Sequence, residues 1–502
     1  MIPAWLNFRL SPATQRHPIN PNILHPDWEI RSGVCVGGFR GSEKDYEGDY
    51  RIDHIQVTDL HSSAVPPPLA LKDKFDHFIV DVIQGLVVLL EYIKASPTLT
   101  FARVHLRHIT TGQPHPLARL PTITVRFQDL WRSPDPDLQI MTMANILLIR
   151  YGAPKNVSDC CVTAILDWQS CVLLGQIHSE TVDADLAFLD KCHIFLYSSL
   201  PRSATNPRES NQVALLFYRI PTPTSYQQLP NADFDVHSYP RLTPVLILEL
   251  PKLHDVYKLR GYTLASEQLL GSLAYRGSTK VIYSHTTTIA LQLWLRHSSG
   301  HEVEQLPHRI DLCIFVNTGR IFDFLLETRK QGSMRVPWSQ WGTAATRWFI
   351  DIHSPLAYLP TAYGSLCPIW DLDRHRMNQF LSILEFNPQI TRRHIYTSGK
   401  TDGKTGSEGQ GLASGYGSNM ATFKNPPVSS RVCDANLDQD VVTEIVGSDT
   451  QTIIDPVFEE PVVSSLPYMV VTRVKPMPRH SNWFIEGDLL VGTVSIANDH
   501  LS

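Results

Sequence analysis

A strand, a short polar turn and a second strand recur along this chain, and the clearest copy is Val162–Ile177. In this copy Asp167 and Trp168 separate two apolar runs, and a further apolar segment, Asp185–Ser198, follows after a short spacer. Apolar runs of this length, bounded by turn residues, are typical of strands joined as antiparallel hairpins. Repetition of one such unit favours an architecture built from similar small sheets, such as a β-propeller.

The same unit recurs elsewhere in the chain. The paired strand candidates are Phe78–Ile93 with Phe101–Ile109, Val213–Ile220 with Val245–Leu250, Thr287–Arg296 with Arg309–Leu326, and Thr346–Ile352 with Cys367–Leu372. These pairs predict an all-β, β-propeller-like fold with about six to seven blades of antiparallel strands and a disordered insertion.

Composition divides the chain into four stretches. We predict an irregular proline-rich N-terminus at residues 1–27, propeller-like repeats at 28–395, a mostly disordered Gly/Ser-rich insertion at 396–448, and closing strands of the same propeller at 449–502. The insertion has seven glycines between positions 399 and 417 and almost no large aliphatic residue. It therefore buries too little apolar surface to offset the entropy of ordering.

The charge and hydropathy of the chain bear on its partners. A formal net charge of −5 gives no chain-wide attraction to phosphate, so we expect no binding to nucleic acid. The longest apolar stretch, Phe78–Ile93, contains Asp81, Gln84 and Glu91 and falls short of the roughly 20 apolar residues that span a membrane. The N-terminus has no basic segment followed by an apolar one. We expect no membrane partner and an intracellular, cytoplasmic or nuclear, location.

The sequence patterns do not point to catalysis. A glycine-rich run at 409–417 lacks the strand and helix that flank a phosphate-binding loop, and no serine lies in a Gly-x-Ser-x-Gly turn. Asp371 and Asp373 would share one face of a strand and suit a hard cation, but acids at strand ends more often cap turns by binding backbone amides. The sequence predicts no catalytic residue, no cofactor and no metal, and therefore a protein that is not an enzyme.

A tryptophan-rich segment lies at Val336–Trp348. Tryptophan and arginine are enriched at binding hot spots, so Trp338, Trp341 and Arg347 are candidate partner-binding residues. In the alternative interpretation, which the sequence favours, the indoles pack between two repeat units and Arg347 stacks on an aromatic ring.

Two further stretches, Arg202–Arg208 and Pro221–Pro240, have the composition of long surface loops. Loops on a rigid scaffold commonly carry binding residues, so these two are also expected to contact a partner.

Six segments occur in a characteristic order between about residues 75 and 495: Phe78–Glu91, Val104–Ala118, Ala164–Leu174, Val336–Trp348, Leu384–Pro388 and Val457–Tyr468. This order resembles the C-terminal region of the large F-box proteins of mushroom-forming fungi. The resemblance implies that the repeats hold a protein to be ubiquitinated, while an N-terminal F-box docks onto a cullin-RING ubiquitin ligase. Residues 1–27 are too few and too rich in proline for that helical F-box, so we expect no binding to the cullin-RING adaptor.

The sequence thus predicts a non-enzymatic protein-interaction module that is related to F-box substrate receptors, lacks a recognisable F-box and binds an unknown protein partner. The alternative is a propeller-based hydrolase or transferase with an acidic metal site such as Asp371 with Asp373.

Overall fold

A computed structural model describes part of the chain in detail. The described residues are 27–31, 33–40, 51–60, 62, 66–96, 99–128, 137–152, 161–179, 184–200, 212–222, 233–264, 273–276, 279–282, 285–297, 309–351, 363–372, 378–387, 390–391, 441–455, 457–478, 480, 482–486 and 489–493. None of the helices among these residues is both long and apolar enough to cross a membrane.

Six sheets, each with a core of four antiparallel strands, follow one another along the described part of the chain. In spatial strand order, sheet 1 contains β1 (Asp27–Arg31), β2 (Val34–Phe39), β3 (Ile52–Asp59) and β4 (Leu69–Phe75). Sheet 2 contains β5 (His77–Asp81), β6 (Leu86–Ser96), β7 (Leu99–His108) and β8 (Thr122–Gln128). Sheet 3 contains β12 (Val172–Ser179), β11 (Cys161–Asp167), β10 (Ile146–Gly152) and β9 (Asp137–Met143).

The last three sheets have the same antiparallel pairing. Sheet 4 contains β13 (Asp185–Asp190), β14 (His193–Ser199), β15 (Val213–Arg219) and β17 (Leu246–Glu249). Sheet 5 contains β18 (Tyr257–Leu264), β21 (Thr288–His297), β22 (Arg309–Asn317) and β24 (Thr346–Asp351). Sheet 6 contains β25 (Leu366–Leu372), β26 (Asn378–Glu385), β30 (Tyr468–Arg473) and β27 (Val441–Val446).

Shorter elements extend or connect these sheets. They are β16 (Asp233–Asp235) with a 3-10 turn at Val236–Ser238, the hairpin of β19 (Leu273–Arg276) and β20 (Thr279–Ile282), α1 (Gly319–Gln331), β23 (Met334–Val336), α2 (Trp338–Ala345), the pair β28 (Thr452–Ile454) and β29 (Val462–Ser464), β31 (Met477–Pro478), and the pair β32 (Asn482–Glu486) and β33 (Leu489–Thr493).

The predicted all-β fold with antiparallel strands is confirmed. The unit at Val162–Ile177 forms β11 and β12, which pair from Cys161 opposite Ser179 to Asp167 opposite Val172. The units at Phe78–Ile109 and Val213–Leu250 also pair as predicted.

Buried apolar side chains join each sheet to the next in chain order. In β6, Leu86 and Val88 pack with sheet 3, whereas Val87 packs with sheet 1. Successive side chains of a strand point to opposite faces, so a sheet covered on both faces requires a continuous apolar run. Other clusters join sheets 3 and 4, 4 and 5, and 5 and 6. Within the described part of the chain, none of the clusters joins sheet 1 to sheet 6.

The prediction of one strand over Arg309–Leu326 was wrong, because β22 ends at Asn317 and α1 begins at Gly319. Ile321, Leu325 and Thr328 are buried along one face of this helix, with the spacing of an amphipathic helix rather than a strand.

The segments Thr346–Ile352 and Cys367–Leu372 were predicted to pair with each other, which was also wrong. Strand β24 pairs with β22 in sheet 5, whereas β25 pairs with β26 in sheet 6.

Residues 233–242, which we call the strap, run from sheet 4 back to sheets 2 and 3. Strand β16 lies parallel to the edge strand β8, and Leu242 N donates to Gln176 O of β12 at 2.8 Å. Phe234 and Val236 are buried in the core that sheets 2 and 3 share. The prediction of a surface loop over Pro221–Pro240 was therefore wrong for residues 233–240, whereas residues 223–232 and the predicted loop Arg202–Arg208 lie outside the described residues.

The C-terminal strands are integrated into the same body of sheets. Strands β27 and β30 complete sheet 6, and β28 and β29 pack into the core shared by sheets 4 and 5. Strand β27 falls within the stretch 396–448 that we predicted to be mostly disordered, and residues 396–440 lie outside the described residues.

Candidate functional site

The three indoles of the tryptophan-rich segment pack against one another at the junction of sheets 4 and 5. The ring of Trp338 lies edge-to-face on Trp341 at 5.2 Å and on Trp348 at 5.4 Å. Trp341 and Trp348 are buried, and Trp341 Nε1 donates to Glu249 O at 3.0 Å. Trp341 is therefore a packing residue, whereas Trp338 remains half-buried at the start of α2.

Arg347 is also in the interior, where it bonds to the segment that contains β28. Its Nε donates to Leu466 O at 2.8 Å, and NH1 donates to Thr450 O at 2.9 Å and to Thr452 Oγ1 at 3.2 Å. The guanidinium also lies 5.3 Å from the centre of the Tyr468 ring. Burial lowers the pKa of Arg347 from its ordinary value. The contacts of Arg347 anchor Thr450, Thr452 and Leu466 to sheet 5, and its burial leaves the side chain inaccessible to a partner.

The acidic pair of the alternative hypothesis is described only in part. Asp371 lies near the end of β25, and Asp373 lies outside the described residues. Where the structure describes the chain, His, Cys, Asp and Glu side chains do not gather in groups of three that would hold a metal ion.

Four turns of sheets 2 and 3 lie together and form what we call the turn surface: residues 82–85, 109–121, 144–145 and 168–171. Each sheet contributes the turn between its first and second strands and the turn between its third and fourth strands. In an antiparallel sheet these two turns lie at the same end. The Arg119 amide of the second turn donates to Gln169 O of the fourth at 3.2 Å.

The Ala144 carbonyl joins the two sheets. It accepts hydrogen bonds from Gln84 Nε2 of sheet 2 and from Trp168 Nε1 of sheet 3, both at 2.8 Å. Gln84 is itself held by Asp81, whose Oδ2 accepts from Gln84 Nε2 at 2.7 Å. One carbonyl therefore fixes the relative position of two turns from different sheets.

His115 ties the long turn 109–121 to the same network. Its Nε2 lies 3.0 Å from Gln84 O, and its Nδ1 accepts from the Leu117 amide at 3.3 Å, so Nε2 carries the proton and donates. The buried ring packs edge-to-face on Trp168 at 5.2 Å and stacks with His108 at 6.1 Å. These contacts place the backbone of Leu117 in a defined position.

Both non-glycine residues with positive φ among the described residues belong to the turn surface. They are Ala144 with φ of 51° and Cys171 with φ of 58°. Such conformations cost free energy and persist only where surrounding contacts hold them, and they cluster at binding and active sites. Burial raises the pKa of the Cys171 thiol to about 11, so this thiol stays protonated and is a weak nucleophile.

The turn surface also exposes aliphatic side chains. Five large apolar residues are exposed in the described part of the chain: Ile83, Leu117, Val256, Leu326 and Ile453. Two of them belong to the turn surface, Ile83 with 46% and Leu117 with 58% exposure.

The sequence did not predict this surface. Val104–Ala118 and Ala164–Leu174 were singled out only as parts of a resemblance, and their contact depends on the packing of two sheets. The available local signal was an exposed aliphatic residue in a turn rich in proline and glycine, as Leu117 is in the stretch 110–121.

Comparison with known proteins does not assign the chain to a family. No protein-family model matches it, and no curated protein matches it either. Among solved structures, Hsv2 of Kluyveromyces lactis is 7% identical over 55% of this chain and 81% of that protein, with a TM-score of 0.23. Extracellular domains 1–2 of Drosophila Semaphorin 1a are 8% identical over 60% of this chain, with a TM-score of 0.26, and this chain spans about half (54%) of that structure. Likenesses at these scores carry no argument about fold or function.

Proposed function

We propose that this chain is a non-enzymatic protein-interaction module on a β-propeller-like scaffold, and that its partner docks on the turn surface. The observation that carries the proposal is the exposure of Ile83 and Leu117 on turns that hydrogen bonds fix across two sheets. Apolar side chains on a rigid surface bind a partner at a low cost in conformational entropy.

The scaffold part of the proposal is supported by the order of the sheets. Six sheets, each with a core of four antiparallel strands, follow one another in the described part of the chain, and each packs on the next through an apolar cluster. Repetition of four-stranded sheets in this manner is how propeller blades are arranged around an axis. The order of segments that resembles the substrate-holding region of F-box proteins supports a protein as the partner. We also propose that this chain is related to those F-box substrate receptors.

Site-specific photo-crosslinking tests the proposal. A photoreactive residue replaces Leu117 on the turn surface, and in the control protein it replaces Leu326 of α1. The two side chains are almost equally exposed, at 58% for Leu117 and 57% for Leu326. Each protein is irradiated in an extract of the cells that produce it. We expect a discrete protein adduct from position 117 that Ile83→Ser reduces, and no such adduct from position 326.

The same adducts from both positions, or none from position 117, would refute docking at the turn surface. Because both replaced side chains are already exposed, neither replacement removes core packing, and equal unfolding midpoints in urea verify that the two proteins are folded alike.

A further inference from the structure

The turn surface carries a single charged side chain other than histidine. Residues 82–85, 109–121, 144–145 and 168–171 contain Arg119 and no aspartate, glutamate or lysine. Arg119 is exposed, and its backbone amide is fixed on Gln169 O. In the part of the chain that the structure describes, its guanidinium forms no ion pair. In a chain with a net charge of −5, the turn surface thus exposes the aliphatic side chains of Ile83 and Leu117 together with the positive charge of Arg119.

The two acids that border these turns are already used within the protein. Asp81 accepts from the amide and the side chain of Gln84 at 3.1 and 2.7 Å. Asp167 is buried, and its Oδ1 accepts from the amides of Gln169 and Ser170 at 3.0 and 3.2 Å. Both carboxylates stabilise the conformation of the turns through these hydrogen bonds. The charge of Arg119 is therefore complementary to an acidic group of a binding partner.

Resting on the function proposed above, we propose that the turn surface binds a peptide segment that combines an apolar side chain with a carboxylate. The apolar side chain packs on Ile83 and Leu117, and the carboxylate pairs with Arg119. A guanidinium presents parallel N–H donors that match a carboxylate in two hydrogen bonds, which adds orientation to the apolar contact. Acidic segments without an apolar residue, and basic segments with one, are expected to bind weakly.

Selection from a displayed library of random peptides on the purified chain tests this inference. We expect the selected peptides to be enriched in Asp or Glu near an aliphatic or aromatic residue. The best peptide is then synthesised, and its affinity is measured for the wild type and for Leu117→Ser, Arg119→Glu and the control Leu326→Ser.

We expect Leu117→Ser and Arg119→Glu each to weaken binding about tenfold, and Leu326→Ser to leave it unchanged. A peptide with its acids replaced by lysine is expected to bind Arg119→Glu better than the wild type, because the attraction is reversed. Added salt is expected to weaken the wild-type complex.

Two results would overturn the inference and are distinguishable. If the selected peptides are not enriched in acids and their binding depends on Leu117 but not on Arg119, the acidic partner is refuted while docking at the turn surface stands. A selection that yields no peptide, or only peptides that bind Leu117→Ser equally well, overturns both this inference and docking at the turn surface.

Discussion

Arg347 is a buried cation whose partners, in the described part of the chain, are carbonyl and hydroxyl oxygens and an aromatic ring. The sequence singled out Arg347 and its neighbouring indoles, and it favoured their packing role. Its acceptors at Thr450, Thr452 and Leu466 come from about a hundred residues later in the chain, so no local pattern predicts them. Tertiary pairing of this kind is the information that a single sequence lacks.

Replacing Arg347 by methionine keeps an apolar stem but leaves the Leu466 and Thr450 carbonyls without their donors. A buried carbonyl that loses its partner costs about 1–3 kcal/mol, so we expect Arg347→Met to lower the free energy of unfolding by about 3 kcal/mol. Urea unfolding measures the change. In the control, Arg335→Met removes an exposed ion pair with Glu249 and is expected to cost under about 1 kcal/mol. Equal losses would contradict a structural role for Arg347.

The strap is the element that the sequence described least well. Its apolar residues are too few to show a strand period, and its neighbour β8 lies about a hundred residues earlier. Helix α1 was missed for a different reason, because it follows β22 after a single residue and the apolar run continues across the boundary. Hairpins such as β11 and β12 were predicted correctly because their pairing is local.

A polar cluster joins the strap to β12. The ring of His178 in β12 lies edge-to-face on the ring of His237, with 6.0 Å between the ring centres. The Nε2 atom of His178 lies 2.6 Å from Oε1 of Gln176. The Nε2 atom of Gln176 donates to the Tyr239 carbonyl of the strap at 2.6 Å. Burial lowers the pKa of His178 to about 4, and electrostatic interactions with Arg241 and His237 act in the same direction.

Protonation of His178 therefore favours the unfolded chain, where the pKa of histidine is about 6.5. The free energy of unfolding is expected to fall as the pH drops from about 6.5 to about 4, by roughly 1–2 kcal/mol after allowance for the half-exposed ring. His178→Gln keeps a donor to Gln176 and should remove this part of the pH dependence, whereas His254→Gln, on the surface, should retain it. Urea unfolding at several pH values measures the difference, and an unchanged slope in His178→Gln would contradict the assignment.

At the scale of the whole molecule, the sequence predicted the all-β class because strands with both faces buried appear as continuous apolar runs. In β10, Leu147 packs toward sheet 2 and Leu148 toward sheet 4, so both faces require apolar residues. The turn surface was not predictable in this way, because it depends on contacts between sheets 2 and 3. Hydrogen bonds from Gln84 and Trp168 to the Ala144 carbonyl join two repeat units that are distant in sequence.

Hydrogen exchange over the whole chain, measured with and without the best selected peptide, shows directly whether this protein binds its partner through the turn surface. We predict slower exchange at residues 82–85, 109–121, 144–145 and 168–171, and unchanged exchange in α1 and around Trp338. Protection at α1 or Trp338, with none in the four turns, would contradict it.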